Sequence, residues 1–302
     1  MDGSEKPHRI AVCIASFRRP RGLHALLGAL EAQRFEGERP EILLVVADND
    51  PAESARPVCE DARRWLSLPL RYVVEAQRGI PFARNACVRA AGDADWLAFI
   101  DDDEIPEPDW LATLLAVQRE TQADLVTGPV LGRFAFEPAR WIVEGAFFAA
   151  PRRPTGTPMR RAYTGNTLMR VRALDAEFVH FDERLRVGED EELSTRLAAR
   201  GFRIVWADEA VVWEDVPRER ACVSYIVRRM VAIGESASQV ERLRRGALRT
   251  AAHALPHGAW CIAKGLALAA LHIRAGGRRV RALELAGYGV GRIAGALARA
   301  PR

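Results

Sequence analysis

Strand-length apolar runs alternating with helical patterns constrain this chain more than any other feature. Residues 9–16 form an apolar run that ends at Ser16, and after the loop Phe17-Arg18-Arg19-Pro20 comes a helical stretch with Leu23, Leu26, Leu27 and Leu30 on one face. Residues 41–47 are a second apolar run, ending in Asp48-Asn49-Asp50-Pro51, and residues 70–74 a third. A helix start at Ile80-Pro81 and a fourth run at 96–100 continue the alternation. Near-continuous apolar strands joined by helices imply right-handed crossovers, hence an α/β fold with a mostly parallel sheet and helices on both faces.

Acidic residues sit where those strands end. Asp48 follows the second strand directly, and Asp101, Asp102 and Asp103 follow the fourth, so both groups are expected at the carboxyl edge of the sheet, where open α/β sheets bind ligands. Three adjacent aspartates repel one another unless a cation or an array of donors offsets them. A hard divalent metal holding a phosphate satisfies that need. A solvated acidic turn with Asp109 capping the next helix is the structural alternative. Arg84, on the helix after Gly79, faces either a diphosphate or solvent. The four acids Glu189 to Glu192 open another helix, where the helix dipole alone favours negative charge. Residues 123–130, 163–170, 202–206 and 210–213 continue the strand pattern, and 138–157, rich in Pro, Arg and aromatics, is expected to form a long functional loop.

The formal charge of +4 hides an asymmetry. Residues 218–302 carry sixteen Lys and Arg against four Glu, whereas the remainder is acidic by eight charges. Residues 255–273 are apolar apart from Lys264 and two histidines, nearly long enough to cross a bilayer, but the central lysine disfavours crossing. Val280, Leu283, Val290, Ile293 and Leu297 make a second apolar stripe among Arg278, Arg279, Arg281, Arg292 and Arg299. This basic amphipathic pattern suits helices lying on an anionic membrane surface. No nucleic-acid module is present in the pattern. Gly287, Gly291 and Gly295 recur every fourth residue, a spacing that permits close helix packing. The division expected is 1–217 as a catalytic domain and 218–302 as a basic helical membrane-associated region. Five scattered cysteines form no disulfide framework, and the polar start at residues 1–7 is unlike a signal peptide, so a cytoplasmic protein attached peripherally to the inner face of the cell membrane is expected.

Taken in order, residues 10–16, Val46-Ala47-Asp48-Asn49, the Gly79 to Asn85 segment, residues 99–103, Pro108-Asp109, Gly165-Asn166 and Gly188-Glu189-Asp190 resemble the family-two inverting glycosyltransferases of the GT-A fold, closest to the exopolysaccharide and succinoglycan-biosynthesis branch. The resemblance spans roughly residues 9–213 and implies a nucleoside-diphosphate sugar donor, with UDP expected, and a lipid-linked or saccharide acceptor. It assigns Asp48 to the base, Asp102 to the ribose and Arg84 to the diphosphate. It further assigns Asp101 and Asp103 to the acidic metal motif, with Asp103 as ligand of Mg²⁺ or Mn²⁺, and Asp190 as catalytic base. Many relatives carry a metal-binding His after the last strand. Here Val212-Trp213-Glu214-Asp215 offers only Glu214 or water in its place, and His180 does not match. Two other readings share the pattern: a nucleotidyltransferase making a nucleotide sugar, and a non-catalytic membrane-docked binding protein.

Overall fold

A computed structural model describes residues 8–37, 39–171, 179–274 and 276–298; residues 1–7 and Arg299 lie outside them. The chain forms two compact units. The first holds the described residues of Met1–Leu131, Ala150–Glu183 and Asp190–Glu214, the second those of Gly132–Ala149, Arg184–Glu189 and Asp215–Arg302.

In chain order the elements run β1 (Arg9–Ser16), α1 (Pro20–Glu31), β2 (Glu41–Asp48), α2 (Arg56–Ala62), β3 (Leu70–Val74), α3 (Ile80–Ala90), β4 (Trp96–Phe99), β5 (Glu104–Pro106), α4 (Trp110–Thr121), β6 (Leu125–Thr127) and β7 (Val130–Arg133). There follow α5 (Arg140–Glu144), β8 (Pro158–Met159), β9 (Thr167–Arg170), α6 (Glu189–Ala198), β10 (Ile204–Trp206), β11 (Val212–Asp215), α7 (Val223–Arg245), α8 (Ala247–Leu271) and α9 (Gly276–Leu297). The main sheet has eight strands in the order β3-β2-β1-β4-β9-β6-β10-β8. The pairs β1–β2, β1–β4, β2–β3 and β6–β10 are parallel, while β9 runs antiparallel to both β4 and β6 and β8 antiparallel to β10.

The two-residue period of β1 separates the core into two faces. Ile10, Val12 and Ile14 pack with Leu23, Leu26, Leu27 and Leu30 of α1 and Trp110 and Leu114 of α4. Ala11 and Cys13 pack on the other face with Ala83 and Cys87 of α3, Phe99, Phe181, and Leu193 and Leu197 of α6. Each fully buried leucine of α1 contributes about 1.5–3 kcal/mol of transfer free energy, which is why the predicted leucine face forms as expected.

Three local expectations are corrected. The run 123–130 breaks at Gly128-Pro129: the Gly128 N–H donates to the Asn166 carbonyl, Pro129 has no N–H, and β7 joins a separate sheet of order β5-β11-β7. Asp109 stands at the N-cap position of α4, yet its side chain makes no capping hydrogen bond. The stretch 138–157 includes the short helix α5 rather than being all loop.

In the second unit α9 packs against both α7 and α8. A Cβ on Gly287, Gly291 or Gly295 would lie 3.0, 1.9 or 2.3 Å from the carbonyl oxygens of Val227, Val231 and Glu235, successive turns of α7. The four-residue glycine period therefore lets two helix backbones touch. Arg292 is buried beside them and pairs with Glu241 at 2.6 Å. The apolar stripe expected on α9 is only partly inward: Val280 is buried, but Val290 and Leu297 are exposed.

Candidate active site

Parallel pairing in register, with Ser16 beside Asp48 and Cys13 beside Phe99, brings the ends of β1, β2 and β4 to one edge of the main sheet. A cleft of about 420 Å³ opens there, lined by residues that include Ser16, Phe17, Arg18, Arg19, Asn49, Arg84, Asp101 and Asp102. Its walls thus carry two carboxylates and three guanidinium groups.

Asp102 is clamped to the end of β1. Its Oδ2 accepts from the Ser16 hydroxyl at 2.9 Å and the Phe17 amide at 3.2 Å, and its Oδ1 accepts from Arg19 at 3.0 Å. Burial lifts its carboxyl above the usual range, against the pull of Arg19 and Ser16. The same Arg19 guanidinium reaches Asp103 at 3.0 Å. Gly22 explains how α1 comes so near: a Cβ there would sit 2.5 Å from the Asp102 carbonyl oxygen.

Arg84 is buried on α3 and donates to Asp101 at 3.0 Å, its guanidinium lying 5.9 Å from the centre of the Phe181 ring. Its neighbour Asn85 holds that ring's segment in place, donating to the Phe181 carbonyl and the Glu183 carboxylate and accepting from the Phe181 amide, all at 2.9–3.0 Å. Asp190 stands half-buried at the start of α6, where its Oδ1 accepts from the Glu191 amide at 2.7 Å. Burial raises the Asp190 carboxyl; Arg84 pulls it down and Asp101 pushes it up, so all three groups share one electrostatic neighbourhood. The structure therefore brings together Arg84, Asp101, Asp102, Asp103 and Asp190.

Asp48 is placed differently from the expectation. It is fully buried, with Oδ2 accepting from the Ala55 amide at 2.7 Å and the Tyr72 hydroxyl at 3.0 Å, and Oδ1 from the Asp50 amide at 3.1 Å. It secures the turn after β2, and the cleft is lined by Asn49 instead.

Glu104 is the residue that sequence reasoning passed over. It sits on β5, buried, and its Oε2 accepts from the Asp101 amide at 2.8 Å. Burial, then the charges of Asp101, Asp103 and Glu214, hold its carboxyl well above the usual range. Glu214 stands directly opposite it, paired across the β5–β11 ladder. A Cβ on Gly165 would lie 2.6 Å from Glu104 Oε1, so that glycine makes room for it. Within the sequence Glu104 is merely the fourth acid of a run, and only the non-local β5–β11 pairing distinguishes it.

Among the described residues no group of three or more His, Cys, Asp or Glu side chains is arranged to hold a metal ion. The donors nevertheless fit a hard divalent cation in kind: Asp101, Asp102 and Asp103 offer carboxylate oxygens, paired here with the guanidinium groups of Arg19 and Arg84.

Residues 7–232 match the family described as glycosyltransferase like family 2. The succinoglycan biosynthesis protein ExoM of Rhizobium meliloti (strain 1021) is 32% identical over 244 residues, 80% of this chain and 78% of that protein. Among solved structures, S. aureus TarS 1-349 in complex with UDP covers 95% of this chain and 90% of its own, with a TM-score of 0.53 and 17% identity. The mannosyltransferase PcManGT from Pyrobaculum calidifontis, in complex with GDP-Man and Mn2+, covers 97% and 75%, with a TM-score of 0.58 and 16% identity. These two share the fold with the chain.

Proposed function

Because the chain belongs to glycosyltransferase family 2, and is therefore a glycosyltransferase, we propose that it moves a sugar, with inversion, from a nucleoside-diphosphate sugar to a hydroxyl of a lipid-linked or polysaccharide acceptor. The work is cell-surface glycan assembly of the exopolysaccharide kind, carried out at the cytoplasmic surface of a membrane. One observation carries this reading: a single cleft is lined by Asp101, Asp102 and Arg84, with Asp190 within their electrostatic reach. UDP is the first donor to test.

The transfer is one displacement. The acceptor oxygen forms a bond to the anomeric carbon as the bond from that carbon to the diphosphate oxygen breaks, and the nucleoside diphosphate departs. Asp190 takes the acceptor's hydroxyl proton. Burial, by raising its carboxyl, makes it a stronger base than a surface aspartate. Arg84 and Arg19 face the diphosphate, Asp102 meets the ribose, and Asp48 organises the edge on which the base rests. Asp101 and Asp103 would hold Mg²⁺ or Mn²⁺, which supplies charge neutralisation on the departing diphosphate. Glu214, paired with Glu104 across the β5–β11 ladder, or water would stand in for the histidine that many relatives carry.

The test is thermal unfolding of the protein with UDP-, GDP- and dTDP-sugars, with and without Mn²⁺, followed by product analysis. A ligand bound to the folded state raises its apparent stability. A metal-dependent rise with one base class and release of free nucleoside diphosphate are expected. Pyrophosphate as the product, or no response to any nucleotide by folded protein, would overturn the reading.

A further inference from the structure

Helix α8 is inverted with respect to an ordinary surface helix. The side it buries is small: Thr250, Ala254, Gly258, Cys261, Gly265 and Ala269. A Cβ on Gly258 or Gly265 would lie 2.7 or 2.6 Å from the carbonyl oxygens of Gly289 and Ala282, so α8 meets α9 backbone to backbone. The side it leaves outward is large and apolar, with Leu248 88%, Trp260 53%, Leu266 55% and Leu271 74% exposed. A helix covered by water places its large apolar residues the other way. Singly such residues are ordinary, but here they recur along a helix long and apolar enough to cross a membrane.

Charge identifies the partner. From Gly246 to the last residue there are nine Lys and Arg and one acid, Glu284. Exposed Arg244, Arg245 and Arg249 flank the start of α8, and exposed Arg274, Arg278 and Arg279 follow its end. An apolar face bracketed by guanidinium groups matches an acyl boundary bordered by anionic headgroups. Lys264 decides the orientation. It lies about 22 Å along the helix from Arg249 and about 10 Å from the helix end at Leu271, so in a crossing helix it would sit in the hydrocarbon. With α8 in the plane of the interface, its stem follows the surface and its ammonium, 4.5 Å from the centre of the Trp260 ring, reaches the headgroups.

We propose that the outward face of α8 docks in the plane of a bilayer bearing anionic headgroups, with Leu248, Trp260, Leu266 and Leu271 entering the acyl boundary and the flanking arginines on the phosphates. This rests on the membrane-surface element of the function proposed above and assigns it to one helix face.

Flotation of the full-length protein with phosphatidylcholine vesicles, with and without phosphatidylglycerol, tests it. The wild type floats with the phosphatidylglycerol vesicles. The triple variant Leu248→Gln, Leu266→Gln, Leu271→Gln, altered only at exposed positions, loses at least about tenfold in partition. A second variant, Arg274→Gln, Arg278→Gln, Arg279→Gln, loses partition on anionic vesicles and not on neutral ones. Undiminished flotation of the leucine variant overturns the proposal. So does conversion of a wild-type dimer into monomer by that variant in analytical ultracentrifugation, which would mean that a second copy covers the face. Nucleotide-dependent thermal shifts on the same preparations separate the two readings. Donor binding without flotation removes the docking alone, and flotation without any nucleotide response removes the transferase reading alone.

Discussion

Two carboxylates with opposite duties carry the residue-scale argument. Asp190 is lifted by burial while the Arg84 guanidinium restrains the shift, so its base form is lost as pH falls through a value above the ordinary 3.8. The acid limb of kcat/KM is therefore expected above that value, and Asp190→Asn is expected to cut turnover by at least ~100-fold while donor-induced thermal shifts stay near wild type. An unchanged turnover would remove Asp190 from the chemistry. Glu104 has the larger upward shift, and the sign of its effect on stability follows from linkage. A carboxyl whose folded pKa exceeds its unfolded 4.5 helps the fold fully below pH 4.5 and progressively less as pH rises towards the folded value. Glu104→Gln keeps an oxygen for the Asp101 amide and removes the titration. In chelator-treated protein its melting temperature should match wild type at pH 4 and exceed it increasingly towards pH 8. A gap that does not change with pH would show that Glu104 is not held protonated.

At the scale of elements, Asn166 joins four segments. It accepts from the Trp110 indole at 2.8 Å and donates to the carbonyls of Pro129 and Ala210 at 3.0 and 2.7 Å, all out of reach of water. Asn166→Ala strands three buried polar groups and should cost about 3 kcal/mol or more in urea unfolding; a loss below about 1 kcal/mol would mean the segments do not depend on it. Gly22→Ala should leave the fold intact but move α1 off the Asp102 turn, weakening donor binding about tenfold in titrations, because small displacements at a positioning element are costly. What was legible beforehand follows the same division. The leucines of α1 and the apolar runs of β1, β2 and β4 declare themselves through local periodicity, and the aspartates at their ends come with them. The pairing of β5 with β11 that sets Glu104 opposite Glu214, and the Tyr72 hydroxyl on Asp48, depend on partners tens of residues away, which no local pattern encodes. Helix α8 was legible only as an apolar run over 255–273; which of its sides turns inward is set by the glycines and alanines that allow close approach to α9, a partner the run itself does not reveal.

For the whole molecule, charge and apolarity are separated along the chain, and the two make different demands on the solvent. Residues 218–302 hold an excess of twelve positive charges, and the rest an excess of eight negative ones. Electrostatic attraction to headgroups acts within a Debye length, about 10 Å at 0.1 M salt and 3 Å at 1 M, whereas burial of Leu266 and Leu271 in the acyl boundary does not weaken with salt. Raising NaCl across that range should therefore lower partition onto phosphatidylglycerol vesicles towards, and not below, the value on phosphatidylcholine. Donor binding should respond less, since Arg84 is buried and buried charges are screened weakly. Flotation and nucleotide titration run side by side over the salt series check both. If salt abolished binding to both kinds of vesicle, the association would be electrostatic alone and the exposed leucines of α8 would need another partner. If salt left the anionic preference untouched, the arginines flanking the helix would not be at the headgroups.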